Sequence, residues 1–293
     1  TLRRIRASAA RQQPALLLVP EHASFEMERR VSALFTAEEQ RYVTLYSFPR
    51  LAENIFRECG GLALRPMDEV SRALLMREAI AEVADALTLY RRQAAYPGFV
   101  TAMLQTVADF KRAGLTPQAV AELSRQTGGA LGQKLRDMQL IFDAFQALVE
   151  QRFHDPLDEL TLALARAEEK NWFAGRQVWV DSFDYFSVSE RAMLQHILLA
   201  ADALTISMTC PSLDAGEDIF LYQKKFLLRM RAYAAAHGCE CEKPLILTED
   251  KRHQNAELAA LQRAFTRPQA AAPAAGESLQ LIEAPTVYEE MRF

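Results

Sequence analysis

Apolar residues along this chain fall into two patterns: short unbroken runs, and longer stripes at three- and four-residue spacing. Residues 15–20 (A-L-L-L-V-P) form an unbroken run that suits a strand buried on both faces. A helical pattern follows, with Phe25, Val31 and Leu34 among its apolar positions and Ser24 as its expected N-cap. Residues 43–46 read as a second strand. Pro49 then opens a helix to about Glu58, which Gly60-Gly61 ends. From Asp68 to about Arg166 the stripes are continuous and predict helices over 68–90, 98–112, 117–125, 133–151 and 155–167. Pro97-Gly98, Gly114, Gly128-Gly129 and His154-Asp155-Pro156 punctuate them. Strand character returns at 177–181 and 203–209, separated by a helix over 187–200. Helices over 217–236 and 258–265, an Ala/Pro-rich linker or loop at 267–276, a last strand at 278–283 and a helix from Tyr288 complete the pattern.

Strands alternating with helices imply a parallel sheet covered on both faces. The expected fold is therefore α/β, with a P-loop-type sheet like that of superfamily-1 helicases and a large all-helical insertion. The expected division is a discontinuous α/β domain, residues 1–66 and 170–293, interrupted by a helical subdomain, residues 67–169. Both ends of the chain read as the middle of a helix, so a longer polypeptide is expected.

Composition narrows this only a little. Half of the 293 residues are hydrophobic, and the formal charge is −4. A free-standing nucleic-acid-binding module is usually basic overall, so any such role needs a local patch. Cys59, Cys210, Cys239 and Cys241 read as free thiols; the C-x-C spacing is too tight for an ordinary zinc site. No apolar run reaches the roughly 18 residues of a membrane span. A cytoplasmic protein that neither crosses nor binds a membrane is expected.

Candidate chemistry lies at the strand ends. After the first strand come His22 and Ser24, after the second Ser47 and Arg50. The second segment, V-T-L-Y-S-F-P-R, matches the T-x-H-x-F element of superfamily-1 helicases through Thr44, Tyr46 and Phe48. Tyr46 stands where that element has His. An aromatic there can stack on a base, and Arg50 can pair a phosphate; Tyr46 and Phe48 are equally readable as core. V-W-V-D-S ends the third strand on Asp181, a degenerate Walker B position. The following residue is Ser182, where an active motor has the Glu that polarises water. The fourth strand leads into T-C-P-S rather than a γ-phosphate sensor. The one glycine-rich lookalike, G-G-A-L-G-Q-K at 128–134, follows a helix and not a strand, so it is no P-loop.

Several runs then resemble one family, in order and at similar spacing from about Leu16 to Arg292. They are L-L-V-P-E, Y-S-F-P-R-L-A, D-E-V-S-R-A-L-L-M-R, F-K-R-A-G-L, H-D-P-L-D-E-L and V-W-V-D-S-F-D-Y-F. The chain resembles the N-terminal helicase-like region of AddB, one of the two chains of bacterial AddAB helicase–nucleases. The resemblance implies an AddA-like helicase–nuclease partner in a heterodimer. It also implies contact with single-stranded or end-exposed DNA, and a role in holding strand and partner without chemistry of its own. Candidate DNA-side residues are His22, Ser24, Thr44, Tyr46, Ser47, Arg50, Lys111 and Arg112. No cofactor is expected in this stretch; the resemblance leaves ATP with Mg²⁺ and an iron–sulfur cluster to the full-length protein. Two alternatives stand beside this reading. One is an active P-loop ATPase whose Walker A lies upstream of Thr1; the other is a helical protein-interaction scaffold with no nucleic-acid role.

Overall fold

A computed structural model of the chain describes residues 1–61, 65–210, 213, 218–247, 255–266, 278–280 and 282–291. The chain forms two compact units, Thr1–Met208 and Thr209–Phe293.

The first unit is built on four parallel strands: β1 (Ala15–Leu18), β2 (Val43–Tyr46), β5 (Gln177–Val180) and β6 (Ala203–Ile206), in the order β2-β1-β5-β6. Leu17 lies beside Leu45 on one side and Trp179 on the other, and Val180 beside Ile206. The sequence does run strand to helix to strand, so the α/β class holds. β1 is buried along its whole length, as its unbroken apolar run requires of a central strand. One face of the sheet carries Ala15, Leu17, Val19 and Trp179 against α1 (Leu2–Ala9) and α2 (Glu21–Leu34), through Ile5, Ala9, Met27, Val31 and Phe35. The other face has α4 (Phe48–Cys59) beside β2 and α10 (Val188–Ala200) beside β6, with α9 (Glu159–Lys170) packed between these two helices. Ser187 begins α10 with a capping box, its hydroxyl on the Glu190 amide and the Glu190 carboxylate on the Ser187 amide. A one-turn helix, α3 (Ala37–Gln40), leads into β2.

Between β2 and β5 the chain builds a second core of its own. It comprises α5 (Glu69–Val83), α6 (Pro97–Arg112), α7 (Pro117–Thr127) and α8 (Gly129–Arg152). Met76, Ile80, Met103, Val107, Ile141, Phe142 and Phe145 are its centre. A two-residue parallel pairing of β3 (Arg65–Pro66) with β4 (Phe153–His154) closes its base, and nothing in the periodicity announces it. The helical core therefore ends near β4. α9, expected within the helical subdomain, packs on α4 and α10 of the sheet layer instead.

Two buried polar devices shape this lobe. Asp137, fully buried on α8, accepts bonds from the amides of Thr88, Leu89 and Tyr90 and from the Thr88 hydroxyl. These donors leave the helix expected over 68–90, which ends at Val83 and passes through a 3₁₀ turn, Ala84–Ala86. The second device joins Arg72 of α5 and Lys111 of α6 to the loop before α9. The Asp155 carboxylate lies 2.6 Å from Arg72 and 2.8 Å from Lys111, and Lys111 also reaches Asp158 at 2.6 Å. Asp155 Oδ1 takes the Leu157 amide as well. With that carboxylate occupied, the helix expected from Asp155 starts only at Glu159. Next to this hub, Gly114 adopts φ +72°, and a Cβ on it would come within 2.6 Å of Val188 at the start of α10. The F-K-R-A-G-L turn thus fastens the helical lobe to the sheet layer by charge at Lys111 and by close approach at Gly114.

Other boundaries moved for local reasons. α2 starts at Glu21 behind Pro20, so Ser24 is no N-cap; its hydroxyl bonds back to the Pro20 carbonyl at 3.3 Å. The inward stripe of α2 is Ser24, Met27 and Val31, which leaves Phe25 76% and Leu34 51% exposed rather than in the core.

The second unit contains α11 (Leu221–Ala236), α12 (Ala256–Thr266) and one turn, α13 (Val287–Glu290). The expected strand at 278–283 is not formed by its described residues, and the expected linker at 267–276 lies outside them.

Candidate nucleic-acid interface

In an open parallel sheet, ligands meet the carboxyl ends of the strands where the chain reverses its order of addition. Here β1 is followed by β2 on one side, and the chain returns to add β5 and β6 on the other. The switch point therefore lies between β1 and β5. Around it stand the loops after β1 (Val19 to His22), after β2 (Ser47 to Arg50) and after β5 (Asp181 to Phe186).

The mouth of this crevice is filled by aromatic rings. Phe48 meets Phe183 edge-on at 5.4 Å and Phe186 at 6.4 Å, and Phe183 stacks on Phe186 at 4.8 Å. All three are buried. Of the two readings of Phe48, the core one holds. The three rings pack the start of α4 against the loop after β5.

The polar residues lie around the plug. Arg50, about half exposed, reaches Glu28 of α2 at 2.9 Å and Glu21 at 3.9 Å. It thereby brings the loops after β1 and β2 side by side. His22 is exposed on the first turn of α2, and Thr44 is exposed on the edge strand β2. A cleft of about 350 Å³ beside Arg50 is lined by Glu21, Pro49, Glu53, Phe56 and Glu159. Three carboxylates around one guanidinium would repel a phosphate strand unless Arg50 exchanges its partners. Ser47 is buried, and among the described residues its hydroxyl has no partner. Ser24 is buried too, its hydroxyl turned back on the Pro20 carbonyl.

Tyr46 points elsewhere. Burial raises its phenol above the ordinary tyrosine range; Arg57 and Arg176 pull it down and Glu58 pushes it up. It belongs to a polar group on the α4 face. There Glu58 accepts the Trp172 indole N–H at 2.6 Å and an Asn54 amide hydrogen at 2.8 Å, and the Arg176 guanidinium lies 4.0 Å above the Trp172 ring. Burial opposes ionisation of Glu58, but those two bonds and the charges of Arg176 and Arg57 outweigh it, leaving its carboxyl below the usual range. Sequence reasoning missed this group because its members are spread from Tyr46 to Arg176.

Lys111 leaves the candidate set. Its side chain is 5% exposed and carries two carboxylates, so no ammonium is free for a phosphate. Arg112, one residue on, is exposed and pairs with Asp109 on its own helix.

At the end of β5, Asp181 continues the ladder, its amide donating to the Leu18 carbonyl at 3.0 Å. Its Oδ1 accepts the Ser182 amide at 2.7 Å. Ser182 has φ +66°, a left-handed conformation that a residue with a Cβ adopts at a cost. This kink faces Asp181 with its own backbone, and the next side chain is a hydroxyl. Among the described residues no group of three His, Cys, Asp or Glu side chains is placed to hold a metal ion. The residues present at Asp181 do not fit a metal site by themselves.

No described helix is long and apolar enough to cross a membrane. The family model described as "ADDB, N-terminal" matches residues 1–262. The chain is similar to the B subunits of bacterial ATP-dependent helicase/deoxyribonucleases. It is 31% identical over 294 residues to that of Symbiobacterium thermophilum, covering 95% of this chain and 25% of that protein. The one from Clostridium tetani is 29% identical over 80% of the chain and 21% of its own length. The one from Caldanaerobacter subterraneus is 27% identical over 95% and 25%. The chain thus spans about a quarter of the length of the curated relatives it matches. The motif order from L-L-V-P-E to V-W-V-D-S-F, the parallel sheet that those motifs edge and the match across residues 1–262 agree: the chain belongs to the AddB N-terminal family.

Proposed function

We propose that this chain is the helicase-like, non-catalytic part of one chain of a DNA-end-processing helicase/deoxyribonuclease, holding a single DNA strand and supporting an AddA-like motor. The relatives' names describe one component of a multi-chain enzyme, which supports a heterodimeric partner. The observation that carries the strand-holding role is Arg50. It sits exposed at the carboxyl edge of the sheet beside the β1 loop, and its ion-pair partners among the described residues are surface carboxylates that a phosphate can replace. His22 and Thr44 are exposed, and Ser47 and Arg112 complete the candidate set, with Ser24 and Tyr46 behind them. The Asp181–Ser182 kink supports the non-catalytic part, because no carboxylate follows Asp181 to polarise a water. The discontinuous α/β division, expected as 1–66 with 170–293 around a helical subdomain, belongs to the same superfamily-1-like reading, with α9 moved to the sheet side of the boundary.

The test is fluorescence anisotropy of a labelled oligothymidylate with the full-length protein and its partner. The double variant H22A/R50A is expected to bind about tenfold more weakly, as for the loss of about one charge-assisted contact. Unchanged affinity across a salt series would remove these residues from the strand path.

A further inference from the structure

Several cations on helices of the first unit are neutralised within their own helix, while others, such as Arg3, Arg4, Arg77 and Arg136, form no ion pair among the described residues. Arg29 and Arg30 pair with Glu26, Arg112 with Asp109, Arg125 with Glu122 and Arg166 with Glu169, all at one-turn spacing. α11 in the second unit has no such pair. Its sixteen residues, L-Y-Q-K-K-F-L-L-R-M-R-A-Y-A-A-A, hold Lys224, Lys225, Arg229 and Arg231 and no acidic residue. Among the described residues, none of the four forms an ion pair, in a chain whose net charge is −4.

Their placement is ordered. Phe226, Met230 and Ala234 are the buried stripe of α11. At about 100° per residue, the four cations all fall on the opposite half of the helix. Lys225 and Arg229, one turn apart, form one row, and Lys224 and Arg231, two turns apart, form the other. Leu228, Ala232 and Ala235 run exposed between them. Side chains one turn apart stand about 5–6 Å from each other, so each row offers cations at intervals along a line. Such a face attracts a chain of anions more than a single one. An anionic membrane surface would call for large apolar or aromatic residues to enter the interface; the crest here is two alanines and one leucine.

We infer that the outward face of α11 is a phosphate-binding track for a single strand of DNA, made of residues other than those at the carboxyl edge of the sheet. The inference rests on the DNA-holding role proposed above and adds a second contact region to it. The cations would replace counterions on the strand, so their contribution is read in the salt dependence rather than in base preference.

The experiment uses the full-length protein with its partner and a labelled oligothymidylate, titrated between about 50 and 200 mM salt. Each single-strand phosphate contact contributes about 0.7 to the slope of log K against log salt, so K224Q/K225Q/R229Q/R231Q should lower the slope by about 2–3. The charge-preserving exchange K224R/K225R/R229K/R231K should restore it, which separates charge from folding. A slope unchanged in the glutamine variant, with H22A/R50A still weakening binding, overturns the α11 track and leaves the sheet-edge site standing. The reverse outcome keeps the track and removes the sheet edge. No binding by the wild-type protein overturns both. Co-sedimentation with phosphatidylserine vesicles is the remaining arm: wild-type binding lost in the glutamine variant, with the DNA slope unmoved, would reassign the face to a lipid surface.

Discussion

The hub under the helical lobe and the carboxyl edge of the sheet use the same charged chemistry to opposite ends. At the hub, Arg72, Lys111, Asp155 and Asp158 are drawn together, and the Asp155 side chain is 1% exposed. At the sheet edge, Arg50 has comparable partners in Glu28 and Glu21, but all three side chains are about half exposed. Charges removed from water are committed, since breaking one pair strands the other ion. Charges in water are exchangeable at little cost. The hub therefore fixes structure, whereas the pairs at the edge can trade partners.

The sharpest way to break this comparison is at the hub. Asp155→Ala leaves Lys111 and Arg72 short of a buried partner and should cost about 3–5 kcal/mol, read from urea unfolding. Arg50→Ala should change stability by less than about 1 kcal/mol in the same assay. Equal losses would abolish the distinction. Asp137→Ala tests whether the second buried carboxylate is equally structural. A loss of about 3 kcal/mol is expected, with fast hydrogen exchange confined first to the amides of Thr88, Leu89 and Tyr90. Gly114→Ala should cost about 2 kcal/mol through its positive φ and the approach to Val188; a neutral result would mean that the two layers are not fastened there.

At the edge, Ser182→Gly should stabilise by about 1 kcal/mol, because glycine adopts the left-handed kink freely. A loss instead would show the serine hydroxyl in use. The smallest effect is in pH. Burial lowers the His196 pKa, and nearby Glu168 raises it only in part. With the folded value below the unfolded one, this residue's contribution to stability is complete above the ordinary histidine range near 6.5. It is lost as pH falls through the folded value. His196→Gln should flatten the stability profile on the acidic side, and a profile identical to wild type would show that His196 does not titrate there.

Much of the sheet was legible in the sequence because its signal is local. The run A-L-L-L-V-P can be satisfied only by burial on both faces, and Q-V-W-V similarly marks β5. Pro117 and Gly128 fixed the ends of α7 through their own backbone limits. The candidate site was legible less evenly. His22, Arg50 and Asp181 fall at strand ends, as their positions in the pattern imply. Lys111 was misplaced because a lysine on a helix face reads as solvated until its partners, 44 and 47 residues away, are known. Tyr46 has the alternation of an edge residue, but its surroundings come from Arg57, Glu58 and Arg176.

The sequence by itself determined the α/β class, the alternation of its four main strands with helices, the AddB resemblance and the absence of a carboxylate directly after Asp181, because each is written in neighbouring residues. Only the tertiary structure decided which charges are buried and which are free. It set the β2-β1-β5-β6 order, placed α9 with the sheet layer and turned Phe48, Phe183 and Phe186 into one plug. Burial and pairing are properties of residues far apart in the chain, and no local pattern carries them.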